Sequence, residues 1–397
     1  MLEGRGRRVV MLTTDVRVDR RTILQARTLA DHGLEVVVVA VAGEGAASSD
    51  RGVAIDRVTI DRAPTARIRR RATGALLALR GRDLSGYEHA FAARARRHRP
   101  DVVHVHNLPL LRAGTALGQE GVLVLYEMHE LYSEQRNATP AVRERLREIE
   151  RTHIGRTDAR IAVNPLIANE VSRRYGGIDV GVLQNAVEAP AGLHDTRHDR
   201  IRAELGLPPG RRILLYQGWI SEERNLVSLV EGLALVTDPV ELVLMGYGEH
   251  LRTLLARAAE LGIADRVHHL ETKSPDEYLL YTASADVGVI PNSPTWDANT
   301  TFLSPYKLYE FVLARLPILA NDLPFVRAVV EEHGFGVATR LETAAEWAAA
   351  IRAYPWERLE EIRAAMAREE HAFSWESERH ILLAVYERLL EGRPSPA

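Results

Sequence analysis

Short runs of Val, Ile and Leu alternate with amphipathic stretches along almost the whole chain, and no other feature limits the fold as much. In the first half such runs occupy 9–13, 36–42, 102–106, 122–128, 160–163 and 180–184. In the second half they occupy 213–217, 240–245, 267–270, 287–291, 317–321 and 336–339. Their near-continuous apolar character suits strands buried on both faces, and helical spacing at 23–32, 87–98 and 142–153 supplies the crossovers. A βαβ series of this kind builds a parallel sheet covered by helices. A polar Gly/Pro/His stretch interrupts the pattern over 189–210, with one short helix at 200–205, before the series restarts. The expected fold is therefore α/β, with two tandem Rossmann-like doubly wound domains over 1–188 and 210–374 facing each other across a cleft. Residues 189–209 are expected as the linker, and a C-terminal helix over 375–391 is expected to join the first domain.

Composition removes several functional classes. The 397 residues contain no cysteine, so there is no disulfide framework, thiolate nucleophile or Cys-based metal site. No apolar run approaches the ~18 residues that span a bilayer, and no signal-peptide pattern follows the basic start. These features point to a cytoplasmic enzyme with no nucleic-acid partner.

Charge is unevenly divided within the net −3. Residues 1–190 hold 30 Arg against 23 Asp/Glu, a balance of +7, and ten of those arginines fall within 67–99. A basic half fits an anionic acceptor or peripheral contact with the inner face of a membrane, and it fits solvated helix faces equally. Of 51 basic residues only Lys273 and Lys307 are lysine. In so arginine-rich a chain, they mark places where a compact charge on a flexible stem is wanted.

In doubly wound sheets ligands bind beyond the carboxyl ends of the strands, so the loops after each run carry the chemistry. The segment Ser304-Pro-Tyr-Lys-Leu-Tyr-Glu310 places Ser304 as a helix N-cap and Pro305 at the first helical position, aiming free N–H groups at an anion. Tyr306 lies in the first turn. Lys307 and Glu310, three residues apart, share one helical face, a cation for phosphate and a carboxylate for ribose hydroxyls. An ordinary Lys–Glu surface pair has the same spacing. The segment Tyr216-Gln-Gly218-Trp-Ile-Ser-Glu-Glu-Arg224 follows a strand. Gly218 permits close backbone approach there, and Arg224 offers a forked donor set to a diphosphate.

These phrases, with Asp101-Val-Val-His-Val-His106, Tyr126-Glu-Met-His129-Glu-Leu-Tyr-Ser-Glu134, Ala159-Arg-Ile-Ala-Val-Asn164, Leu183-Gln-Asn185-Ala-Val-Glu188 and Ala285-Asp286-Val-Gly-Val-Ile-Pro291, occur in an informative order. Over almost its full length the chain resembles the GT-B-fold retaining glycosyltransferases of family four, in a branch with a P-x-K-x-x-E donor motif. The resemblance implies transfer of a sugar from a nucleoside-diphosphate sugar to an acceptor that is a small molecule, glycan or lipid, with retention and without a cofactor. It implies that Arg224 and Lys307 hold the diphosphate, that Glu310 contacts the ribose, and that His129 lies beside the donor sugar. Gly246 and Gly248 would form a turn near the nucleobase, and the backbone at Lys273 and Ser274 would contact its edge.

The chain departs from the family pattern at three places. Phe302 stands where the first carboxylate of E-x7-E is usual, Trp219 stands where a second phosphate-binding Arg is usual, and residues 13–20 replace a glycine-rich loop. Asp15, His106 and Asn185 are candidates on the acceptor side. No D-x-D triplet occurs, so no metal is expected. His104 and His106 are read as facing opposite sides of their strand, and His194 with His198 as lying in the connector, so neither pair is taken as a metal site. A sugar-nucleotide 2-epimerase and a non-catalytic nucleotide-sugar-binding subunit remain open alternatives.

Overall fold

The computed structural model describes residues 6–60, 84–136, 138–195 and 198–391. The chain divides into two compact units. The first comprises Met1–Ser133, Ala138–Leu183 and Arg379–Ala397, and the second Glu134–Asn137 and Gln184–Glu378. No helix among the described residues is long and apolar enough to cross a membrane.

The first unit holds strands β1 (Arg8–Leu12), β2 (Glu35–Val41), β3 (Ser49–Asp50), β4 (Val53–Val58), β5 (Val102–His106), β6 (Leu123–Met128), β7 (Ala159–Ala162) and β8 (Gly181–Val182). They form one sheet in the order β3-β4-β2-β1-β5-β6-β7-β8, parallel except for the β3–β4 hairpin. The order reverses between β1 and β5, which opens a crevice at their carboxyl ends. The β3–β4 pair was not anticipated, because Asp56 and Arg57 break the apolar run that marks the other strands. Of the basic stretch 67–99, residues 67–83 lie outside the described residues. The remainder forms the helix Gly86–Arg97, closed at its start by a Ser85–Glu88 capping box. There Arg94 pairs with Asp56 at 2.7 Å and Arg96 with Glu120 at 2.6 Å.

The second unit holds β9 (Arg212–Trp219), β10 (Val240–Tyr247), β11 (Val267–Leu270), β12 (Val287–Ile290), β13 (Ile318–Asn321) and β14 (Gly336–Thr339). All are parallel in the order β11-β10-β9-β12-β13-β14, so the switch point lies between β9 and β12. Trp347 is fully buried and contributes about 5 kcal/mol of transfer free energy. It fits because Gly232 carries no side chain: a Cβ there would lie 2.4 Å from the Trp347 Cβ.

The expected linker is packed structure. Ile201 is buried, Arg200 N–H donates to Ser284 Oγ at 3.1 Å, and Arg202 pairs with Asp286 at 2.5 Å, all within the second unit. The closing helix Trp375–Leu390 begins in the second unit and groups with the first from Arg379 onward.

Candidate active site

In the second unit the carboxyl ends of β9 and β10 run side by side, with Gly218 opposite Gly246 and Trp219 opposite Tyr247. Gly246 has φ +149°, and a Cβ on it would meet the Gly218 carbonyl at 2.0 Å. Only glycine allows that approach. Gly248 is equally constrained, since a Cβ there would lie 2.0 Å from the Ile220 carbonyl. The next residues form an exposed pair, Trp219 (45%) and Tyr247 (50%), edge to face at 4.9 Å.

Lys307 enters from the helix Tyr306–Leu313, which is buried along almost its whole length. Its ammonium lies 3.8 Å from the Tyr216 ring centroid, and the residue is only 8% exposed. Lys307 has no carboxylate within ion-pair distance among the described residues. Burial, and then the Arg224 charge, push its pKa well below the ordinary lysine value, against a smaller opposing pull from Glu310. Arg224 closes a short turn after β9, where its guanidinium meets Glu223 at 3.0 Å.

Glu310 sits one turn beyond Lys307 and is buried. Gln217 Nε2 donates to its Oε2 at 2.6 Å, while Thr282 Oγ1 donates to Gln217 Oε1 at 2.8 Å. This relay sets the carboxylate's orientation.

The placements of Ser304 and Asn185 change. Pro305, not Ser304, occupies the N-cap of the lysine helix, and no side chain caps it. The buried Ser304 hydroxyl lies 3.0 Å from the Tyr309 hydroxyl, and the Ser304 carbonyl accepts from Asn185 Nδ2 at 2.7 Å. Asn185 thus belongs to the second unit, where it anchors the approach to Lys307; the first unit ends at Leu183 in this part of the chain. Tyr306 is half-buried in the first helical turn. Lys273 is committed to Glu204 at 2.7 Å and lies 4.3 Å from the Tyr281 ring centroid. The Ser274 hydroxyl donates to Glu277 at 2.7 Å. Phe302 lies in the single turn Thr300–Phe302, half-buried.

In the first unit Asp15 follows β1, His106 ends β5 and His129 follows β6. Thr13 Oγ1 donates to Asp15 at 2.8 Å, and burial raises the Asp15 pKa above the usual carboxylate value. His104 and His106 do not face opposite sides. Residues two apart in a pleated strand project from the same face, and their rings stack at 4.4 Å.

Both stacked rings meet Glu127, which sits opposite His106 in the β5–β6 register. Arg21 donates to its Oε1, Gln25 Nε2 lies 3.0 and 2.9 Å from its two oxygens, and His104 Nε2 lies 2.8 Å from Oε2. Burial raises the Glu127 carboxyl, but Arg21 and the close approach of His104 and His129 outweigh it and hold the group well below the usual range. His104, His106 and Glu127 have donor atoms within 4.8 Å of one another, though Arg21 and Gln25 already occupy the carboxylate. Sequence reasoning missed Glu127. The signal available was a lone carboxylate inside an otherwise apolar strand.

Residues 18–189 match Glycosyltransferase Family 4, and residues 197–370 match Glycosyl transferases group 1. A D-inositol 3-phosphate glycosyltransferase of Nocardia farcinica is 29% identical over 268 residues, which is 62% of this chain and 56% of that protein. The chain thus spans little more than half the length of that relative. Among solved structures, sucrose-phosphate synthase from Thermosynechococcus elongatus superposes with a TM-score of 0.75 at 17% identity, covering 98% of this chain and 100% of the other. Anabaena HepE, in complex with UDP and glucose, gives 0.72 at 13% identity, covering 96% and 100%.

Proposed function

The chain belongs to the GT-B glycosyltransferases of the family-four type, and on that premise we propose that it transfers a sugar from a nucleoside-diphosphate sugar to an acceptor hydroxyl, with retention and without a metal ion. The observation that carries this reading is the buried Lys307 ammonium, faced by a tyrosine ring and, among the described residues, by no carboxylate within ion-pair distance. A buried cation without its counter-charge is a costly arrangement, and an arriving anion relieves it. As the glycosidic bond to the donor breaks, negative charge grows on the diphosphate. Lys307 and Arg224 meet that charge with donors already in place, the role that a chelated cation fills elsewhere. Glu310, held by Gln217, takes the two ribose hydroxyls in charge-assisted hydrogen bonds.

The complex of Anabaena HepE with UDP-glucose supports a donor of this chemical class. The excess positive charge of the first half suits an anionic acceptor, such as a phosphorylated polyol or lipid. A thermal-shift screen of nucleoside-diphosphate sugars, followed by acceptor assays with the product read by NMR at the anomeric carbon, tests the proposal. A donor that stabilises the protein and yields a product of retained configuration is expected. Donor binding with no transfer to any acceptor class, or a product of inverted configuration, counts against it.

A further inference from the structure

Among the described residues, Glu127 is the most deeply buried carboxylate of the first unit, and the transfer chemistry above gives it no part. We infer that Glu127 is a positioning residue that keeps the proton of His129 on Nε2, so that His129 meets substrate through Nδ1 and accepts a hydrogen bond from a hydroxyl. The inference rests on the reading that His129 faces substrate.

The geometry runs outward from the carboxylate. Arg21 and Gln25 aim N–H donors at it from the helix Arg20–Asp31, whose start is fixed by the Asp19 carboxylate accepting from Arg21 N at 2.8 Å. Arg21 is held in turn by donating from Nη2 to the Leu183 carbonyl at 2.6 Å. So surrounded, the carboxylate stays ionised, and an ionised carboxylate only accepts. His129 Nε2 lies 3.2 Å from Oε1 and 3.3 Å from His106 Nδ1. A lone pair on Nε2 would face a full negative charge in a dry interior, so the proton resides there and Nδ1 carries the lone pair.

The backbone is fixed as tightly as the ring. Asn107 adopts a left-handed conformation (φ +67°), donates its N–H to the Glu127 carbonyl at 2.8 Å and accepts the His129 N–H on Oδ1 at 2.9 Å. Around this carboxylate, Arg21 and His104 are almost fully buried, whereas the His129 side chain is 19% exposed and its Nδ1 has no partner among the described residues. A ring that holds its proton on Nε2 and accepts at Nδ1 selects a group that carries a proton. A diphosphate oxygen offers none, so the partner is a hydroxyl of the donor sugar or of the acceptor. His129 therefore reads sugar hydroxyls and leaves the departing phosphate to the second unit.

Long-range ¹H–¹⁵N correlation on the full-length protein with ¹⁵N-labelled histidine tests this without any substrate. At a pH above the ordinary histidine value, the His129 pattern of a protonated Nε2 is expected. An Nδ1-protonated pattern overturns the inference whatever the transfer assays show. Kinetics give an independent arm. H129N, whose amide reaches the Nδ1 position, should retain more kcat/KM than H129Q, whose amide reaches Nε2; the reverse order overturns the inference. E127Q should lower kcat/KM about tenfold, the loss of roughly one hydrogen bond, while leaving the Kd for nucleoside diphosphate unchanged. A matching loss in that Kd would instead mark Glu127 as a general support of the fold. A protonated Nε2 in a protein that transfers nothing would uphold the role of Glu127 and refute the glycosyl-transfer reading alone.

Discussion

Replacing Lys307 with methionine should move stability and turnover in opposite directions. Methionine keeps the length and apolar stem, so the Tyr216 ring remains covered, but the charge is gone. In the folded protein without donor, that charge is unfavourable: burial is the largest influence on it, and Arg224 adds repulsion. Against this stands a cation–π contact worth about 2 kcal/mol when desolvated, smaller than the several kcal/mol that burial of an ammonium costs. K307M should therefore match or exceed the wild-type Tm. Turnover should fall on the order of 10²–10³-fold, the cost of about 2.7–4 kcal/mol when one pre-placed donor is lost from a developing charge.

The buried lysine also makes stability depend on pH. Because the folded pKa lies below the unfolded value, the unfolded chain binds the extra proton between the two. The lysine's own contribution to wild-type stability should then be most favourable above the ordinary lysine value of 10.5 and decline as pH falls towards the folded value. K307M should lack that decline. Calorimetric melting over the alkaline range and steady-state kinetics together provide the assay. A Tm several degrees lower in K307M would show that the lysine is structural, and wild-type turnover would remove the diphosphate assignment altogether.

Activity should persist in EDTA if, as proposed, Lys307 and Arg224 serve the diphosphate in a chain with no D-x-D triplet; complete loss restored by Mg²⁺ or Mn²⁺ would contradict this. Glu310→Gln should weaken donor binding and shrink the penalty that wild type shows for a 2′-deoxyribose donor. If that variant binds nucleoside diphosphate normally but loses one limb of the pH–rate profile, Glu310 is an acid or base and not a ribose ligand.

The strands were legible because parallel strands covered on both faces are dominated by apolar residues, as Val287–Ile290 illustrates. The hairpin Ser49–Val58 escaped because an edge position lets Asp56 and Arg57 into the run. The grouping of Lys307 and Glu310 followed from helical spacing alone. The role of Asn185 did not, since its partner Ser304 lies 119 residues away. Ser304 reads as a cap by residue type, yet the helix begins after Pro305 and its hydroxyl turns to Tyr309. The stretch 189–209 reads as a linker because its composition is polar. Arg202 packs it by pairing with Asp286, a carboxylate far along the chain.

The way the chain visits the two units also decides how they can be produced separately. The second unit is nearly continuous, so residues 184–378 form a single coding fragment apart from four residues at 134–137. The first is not. Its His104 nitrogen meets the Tyr386 hydroxyl at 3.0 Å, and Leu382, Val385 and Tyr386 are buried. A fragment stopping at Leu183 would leave the underlying apolar surface uncovered and His104 without that partner. To make the first unit alone, residues 379–391 must be spliced back by a short connector or moved ahead of β1 by circular permutation.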